Sequence, residues 1–105
     1  MAWVALFLAG LFEIGWAVGL KYTDGFTRPM PSVLTAIAMA ASFFLLAVAL
    51  RSLPLGTAYA IWTGIGTVGT VLLGIVIFGE ETTVLRLACI GLIVTGLAGL
   101  KLITP

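Results

Sequence analysis

The chain has 105 residues, of which 62% are hydrophobic and only 9% are charged, and its mean hydropathy is +1.28. Soluble domains carry about 25% charged residues, so this composition argues against a soluble globular protein, and a net charge of +1 gives no reason to expect nucleic-acid binding. With no histidine and one cysteine, Cys89, neither a metal site nor an intrachain disulfide is expected. Because we find no nucleophile–base pair and no phosphate-binding loop either, we expect no enzyme activity and no cofactor.

Four apolar stretches are long enough to cross a bilayer, which takes about 20 helical residues. The first lacks the basic start and the cleavage site of a signal peptide, so we interpret it as a membrane span. Residues 1–105 are therefore predicted to form a single all-α membrane domain with four transmembrane helices and both termini on the same side of the membrane. The predicted spans are Trp3 to Leu20, Val33 to Leu50, Leu55 to Phe78, and Val84 to Ile103.

The connections between the spans carry residues that interrupt or end helices. The first connection, "KYTDGFTRPMPS", holds a glycine and two prolines, which is typical of a loop. The second is the short "RSLP", in which Pro54 suits a loop or the first turn of the next helix. In the third, "GEETT", we expect Gly79 to cap the preceding helix and Thr83 to cap the following one.

The basic residues are almost evenly divided between the two sides of the membrane. Arg51 and Lys101 lie on the side of the termini, and Lys21, Arg28 and Arg86 lie on the other. Since the imbalance of Lys and Arg sets orientation, this distribution permits insertion both ways. Two copies could then pair antiparallel, although the same count would also arise by chance in a chain of fixed topology.

One carboxylate, Glu13, lies in the middle of the first span, within "LFLAGLFEIGWAVGL". A charged group at that depth costs about 3 kcal/mol on insertion scales, and such groups persist mainly where they face a protein interior or a water-filled cavity. A membrane carboxylate of this kind can hold a proton or a cation. The alternative is a structural role, in which Glu13 forms a hydrogen bond to another helix.

Several residues could meet Glu13. Trp16 lies three positions later on the same helical face, and Gly10, three positions earlier, would leave room beside the carboxylate. Ser42 is the only polar residue between Ala36 and Leu50, although it could instead bond to a carbonyl of its own helix. The third span contributes Tyr59, for which an interfacial position is the alternative, and Trp62, which lies deeper.

Glycines mark the third and fourth spans. In the third span, "TGIGTVG" holds Gly64, Gly66 and Gly69, which favour close helix packing or provide a point at which the helix bends. The fourth span carries small residues and no mid-span charge, which indicates an interface between chains rather than a binding site. These small residues are Cys89, Gly91, Thr95, Gly96 and Gly99.

Over nearly its full length the chain resembles the small multidrug resistance family. The motifs that carry the resemblance are "AGLFEIGWAVGLKYTDGFTRPMPS" and "LPLGTAYAIWTGIG". The resemblance implies a proton-coupled exporter of cations that works as an antiparallel homodimer in the inner membrane of a prokaryote, with no cofactor. It implies that Glu13 is shared between protons and substrate, that Tyr59 and Trp62 are essential, and that the third helix bends at Gly64-Ile65-Gly66.

Within that family the chain resembles the guanidinium-exporter branch, because Trp16 and Ser42 match its tryptophan and serine. Two aromatic walls, from Trp16 and Trp62, would suit a flat cation, whereas a bulky quaternary ammonium would need the space that Trp16 fills. The chain departs from the family on the fourth helix, where Cys89 and Gly96 stand in place of two glycines seven residues apart. The contribution of the Gly96 region to the dimer therefore rests on a weaker match.

The expected function is thus export of guanidinium-like cations in exchange for protons. The alternative within the same family is a polyspecific exporter of quaternary-ammonium compounds. A proton-carrying rotor subunit also uses a lone carboxylate in the membrane, but such subunits typically have two helices. A membrane assembly subunit without transport activity would tolerate the loss of the Glu13 charge.

Overall fold

The computed structural model describes residues 1–104, and in this part of the chain it has four α-helices. Each helix is long and apolar enough to cross a membrane, which confirms the predicted all-α architecture. The bounds of the third and fourth helices agree with the prediction. The helices are α1 (Ala2–Tyr22), α2 (Pro29–Ala49), α3 (Leu55–Phe78) and α4 (Val84–Ile103).

The first loop is shorter than predicted. Helix α1 continues through Lys21 to Tyr22, and α2 begins at Pro29 rather than at Val33, so only residues 23–28 connect them. Prolines at the start of a helix cost little, because the first backbone N–H groups have no intrahelical partner. Arg28, which precedes the proline, is extended with φ −99° and ψ 117°, as the proline ring requires.

The end of α3 and the start of α4 confirm both predicted caps. Gly79 adopts the left-handed conformation with φ 65°, where a side chain would be strained. This turn brings the backbone N–H of Glu80 to 3.2 Å from the carbonyl oxygen of Gly74, to which it donates. At the start of α4, the hydroxyl of Thr83 accepts a hydrogen bond of 3.1 Å from the backbone N–H of Arg86.

Helix α1 packs between α2 and α3. The residues buried there are mostly small, with Ala9 on α1, Ala49 on α2 and Ala58 on α3 all fully buried around Leu6. Small residues allow helix backbones to approach closely, which is how helices associate in lipid. This packing positions the polar residues of α1 against both neighbouring helices.

Helix α4 is bound to the rest of the chain along one side only. Its backbone approaches α3 alone, and none of its residues is buried. Leu97 fills the space above Gly64 of α3, and Leu100 also packs against the core. At the end of the helix, the Lys101 Nζ lies 4.5 Å from the centre of the Trp3 ring, so the long side chain reaches toward α1. Most of the surface of α4 therefore faces outward.

Candidate functional site

The side chain of Glu13 lies directly against α3. A Cβ atom at Gly66 would overlap the Glu13 carboxylate, so the glycine is what allows the acid to reach the backbone of that helix. The Oε1 atom of Glu13 is buried and has no hydrogen-bond partner among residues 1–104. Buried polar atoms are normally hydrogen-bonded, so an acceptor without a partner is unusual and marks this carboxylate as a candidate binding group.

A groove of about 290 Å³ runs beside this carboxylate, between α1 and α3. Its polar groups, apart from the acid, are threonine hydroxyls. The Oγ1 of Thr67 donates to the carbonyl of Thr63 at 2.7 Å, while the buried Oγ1 of Thr70 has no partner in the described part of the chain. The groove thus combines one carboxylate with hydroxyl groups and apolar walls. Its lining residues are Glu13, Ala17, Gly66, Thr67, Thr70 and Val71.

Ser42 joins three helices through a single hydroxyl group. It is fully buried; its Oγ donates to the carbonyl oxygen of Ala9 on α1 at 2.7 Å, and accepts from the Nε1 of Trp62 on α3 at 3.0 Å. The alternative that Ser42 bonds to its own helix is therefore wrong. Its proton goes to the α1 backbone one turn before Glu13, rather than to the carboxylate, and its effect on Glu13 in this structure is through the position of α1.

Four aromatic rings form a continuous row across α1, α2 and α3. Trp16 and Phe43 meet edge to face with centroids 6.2 Å apart, Phe43 meets Trp62 in the same way at 5.8 Å, and Tyr59 lies 5.5 Å from Trp62. The Nε1 of Trp16 is buried without a partner among residues 1–104. The row thus combines flat apolar rings with one buried N–H donor that has no partner among residues 1–104.

The structure brings four of the residues expected at the site together in one cluster, which consists of Trp16, Ser42, Tyr59 and Trp62. None of the four lines the groove beside Glu13, whose carboxylate is turned toward Gly66 of α3. The sequence reasoning missed Phe43, which links the two tryptophans. Its position next to the only serine of the mid-span was a possible clue, but a phenylalanine in an apolar helix is usually lipid-facing.

Tyr59 shows features of both expected roles. Its side chain is exposed, as an interfacial residue would be, yet its ring packs against the buried Trp62. The contact with Trp62 places the tyrosine at the open end of the aromatic row. From there its hydroxyl is available to a ligand or to a second chain.

The predicted glycines are packing positions in this structure. The space at Gly10 is filled by Ile65, whose Cγ2 would be 2.6 Å from an added Cβ, so Gly10 makes room for α3 and not for the carboxylate as expected. Gly69 is covered by the side chain of Ile14. Since α3 is an unbroken helix from Leu55 to Phe78, bending at Gly64 and Gly66 stays a prediction.

The remaining features concern metals and the outer face of α4. No group of three His, Cys, Asp or Glu side chains lies close enough to hold a metal ion within residues 1–104. On α4, added Cβ atoms at Gly91, Gly96 and Gly99 would meet nothing within 4 Å, and Cys89 is exposed. This face is smooth and unoccupied in the single chain, which is the property expected of a helix–helix interface in lipid.

Comparison with known proteins gives concordant matches. Residues 1–93 match the family model described as Small Multidrug Resistance protein. The chain is 60% identical over 102 residues to a protein named guanidinium exporter from Yersinia pseudotuberculosis, a match that covers 97% of this chain and 98% of the relative. It is 59% identical over 104 residues to the guanidinium exporter of Escherichia coli K12, covering 99% of both chains. The guanidinium exporter of Proteus vulgaris is 58% identical over 102 residues, with 97% and 98% covered.

Proposed function

Because the chain belongs to the small multidrug resistance family, we propose that it exports guanidinium and small guanidinyl cations across the membrane in exchange for protons. Glu13 binds the proton and the substrate alternately. The observation that carries the proposal is the Glu13 carboxylate itself, which lies in a groove against Gly66 with its Oε1 unpartnered among the described residues. The names of the relatives support guanidinium as the substrate.

The chemistry of the substrate matches the carboxylate and, separately, the aromatic row. Guanidinium is planar and presents N–H donors in its plane, and a carboxylate accepts two of them side by side. Aromatic faces attract such a flat cation. The Trp62 ring is held in place by its bond to Ser42, and Trp16 occupies space that a bulkier cation would need.

Exchange of the cation for protons follows because both compete for the Glu13 carboxylate. Outside the cell, protons displace the cation from Glu13; inside, the carboxylate releases its proton and takes up a new cation. A ligand drives a conformational change only when it binds one state better than the other, so shared use of the carboxylate couples the two fluxes. Bending of α3 at Gly64 and Gly66 would accompany the change of access.

We infer that two copies form the transporter as an antiparallel homodimer, with two Glu13 residues in one central cavity. Two features support this arrangement. The glycine face of α4 around Gly96 is open and has the small residues that let helices approach closely. The basic residues are nearly balanced between the two sides, which permits both orientations. Bacterial relatives and four membrane-crossing helices favour a place in the inner membrane.

The test is electrogenic transport in proteoliposomes, with guanidinium and tetraethylammonium compared for the wild type and for Glu13→Gln. Asp24→Asn is the matched control, because it removes the same charge from an exposed loop position. We expect currents with guanidinium only, lost in Glu13→Gln and kept in Asp24→Asn. Proton-coupled export that persists in a folded Glu13→Gln protein would contradict the role of Glu13. Currents of similar size with both cations would instead support a polyspecific exporter of quaternary-ammonium compounds.

A further inference from the structure

A second, smaller cavity of about 80 Å³ lies between the carboxyl-terminal ends of α1 and α3. Lys21, Phe78 and Glu80 line it on the side nearer the helix ends, and Ala17 and Thr70 line it on the deeper side. Ala17 and Thr70 also line the Glu13 groove. The two cavities therefore adjoin, one beside the carboxylate in the middle of α1 and the other at the end of the helix pair.

The position of Glu80 depends on the turn that ends α3. The left-handed Gly79 reverses the chain, and the Glu80 backbone N–H donates to the Gly74 carbonyl. The side chain then folds back along α3, so that a Cβ atom at Gly74 would overlap the Glu80 carboxylate. Two glycines thus hold an acid over the cavity, in the same way that Gly66 accommodates Glu13.

The ammonium group of Lys21 occupies the position that a substrate cation would take at the Glu80 carboxylate. Its Nζ is 4.0 Å from Oε2 of Glu80 and 4.6 Å from the centre of the Phe78 ring. The Lys21 and Glu80 side chains are 60% and 42% exposed, and ion pairs with that exposure contribute little. A carboxylate beside an aromatic ring is also the environment that a guanidinium ion prefers, so a substrate cation can compete with the lysine.

Thr70 supplies a polar group between the two acids. It lies one helical turn beyond Gly66 on α3, and its Oγ1 is buried without a partner in the described part of the chain. Because Thr70 lines both cavities, the wall between the two acids carries a hydroxyl group as well as apolar side chains.

We propose that Glu80 is a capture site for the guanidinium-type cation at the mouth of the Glu13 groove, and that Lys21 competes with the cation for it. The inference rests on the proposed transport function. Lys21 occupies Glu80 when no substrate is present and is displaced when the cation arrives. In an antiparallel dimer the two chains present this mouth to opposite sides of the membrane. The Lys21–Glu80 pair therefore acts on cation entry from one side and on cation release to the other.

The test is the concentration dependence of guanidinium transport in proteoliposomes for the wild type, Glu80→Gln, Lys21→Gln and Glu81→Gln. Glu81 is the matched control, since it is the neighbouring exposed acid but does not line the cavity. We expect Glu80→Gln to raise KM by about two- to fivefold, the size expected for one half-exposed charge contact. Lys21→Gln should lower KM, and Glu81→Gln should leave it unchanged. Equilibrium binding of guanidinium to Glu13, measured in detergent, should change much less than KM in Glu80→Gln.

The outcomes separate the inference from the function on which it rests. If the wild type transports guanidinium and the Glu80→Gln and Glu81→Gln variants share its KM, the capture site is overturned and the transport function stands. Equal increases in KM for both acid variants would indicate general surface charge and would also overturn it. Should Glu80→Gln fail to fold, an unchanged or raised KM in Lys21→Gln would decide against the proposal. A wild type that transports no guanidinium would overturn both.

Discussion

Gly66 and Glu13 are in such close contact that a single methyl group at position 66 would overlap the carboxylate. The glycine lies on α3 and the acid on α1, so the two helices can reach their observed separation only because position 66 has no side chain. The same contact places the unpartnered Oε1 of Glu13 at the edge of the groove between the helices. The position of the proposed ligand group is therefore set by a residue on another helix.

Gly66→Ala should reduce guanidinium transport more than tenfold, because the added methyl group displaces the carboxylate or separates the helices, and such overpacking costs about 1–3 kcal/mol. The control is Gly56→Ala on the same helix, where an added Cβ would meet nothing within 4 Å. Transport is measured in proteoliposomes after size-exclusion chromatography has shown that both proteins are folded. Equal activity in the two variants would show that the contact is not needed.

Ser42→Ala should destabilise the protein. It leaves the indole N–H of Trp62 without its acceptor, and an unsatisfied buried donor costs about 1–3 kcal/mol. Thermal unfolding in detergent measures the effect, and guanidinium transport should fall with it because the Trp62 ring is no longer fixed. Ser32→Ala is the matched control, since that hydroxyl bonds to the Arg28 carbonyl in an exposed position. A melting temperature that is unchanged in Ser42→Ala would refute the linking role.

Trp16→Gly should broaden the substrate range toward bulkier cations. The substitution opens space at the end of the aromatic row, where the ring packs against Phe43. Competition of tetraethylammonium with guanidinium transport measures the change, and Trp3→Gly serves as a control for the loss of a tryptophan and the gain of a helical glycine, which costs about 1 kcal/mol. Unchanged selectivity in the Trp16 variant would mean that this ring does not limit the pocket.

Cysteine cross-linking should reveal the relative orientation of the two chains. If α4 helices cross near Gly96 in an antiparallel pair, the two copies of Cys89 lie roughly 20 Å apart along the axis, at 1.5 Å per residue. Gly96→Cys in a Cys89→Ala background should then form a disulfide dimer readily, while the wild-type Cys89 should not. Efficient cross-linking at both positions would instead indicate a parallel pair, and cross-linking at neither would contradict an α4 interface at Gly96.

The sequence predicted the architecture of the single chain well, because the features involved are local. Length and hydropathy defined four spans, and Gly79 and Thr83 marked the helix ends at which the structure has them. The start of α2 was missed because Pro29 and Pro31 were assigned to the loop. Prolines are compatible with the first turn of a helix, so their presence alone did not locate that boundary.

The partners within the site were less predictable, because they depend on how each helix is rotated. Ser42 bonds to Ala9 across 33 residues of sequence, and Gly10 faces Ile65 rather than the acid. In a soluble helix an apolar stripe would indicate the rotation, but spans in lipid are apolar on all sides. Glu13 was identifiable because it is the one mid-span charge. Proton coupling and the antiparallel dimer stay predictions.

The loose attachment of α4 bears on the order of events during synthesis. Helices α1, α2 and α3 bury one another's small residues, and none of the fully buried residues lies on α4. Since amino-terminal parts of a chain leave the ribosome first, α1 to α3 are free to pack before α4. Helix α4 then adds only its packing on α3 and the contact of Lys101 with Trp3. The lining of the carboxylate groove lies entirely on α1 and α3, so formation of the groove within one chain does not require α4, which leaves that helix free to meet another chain.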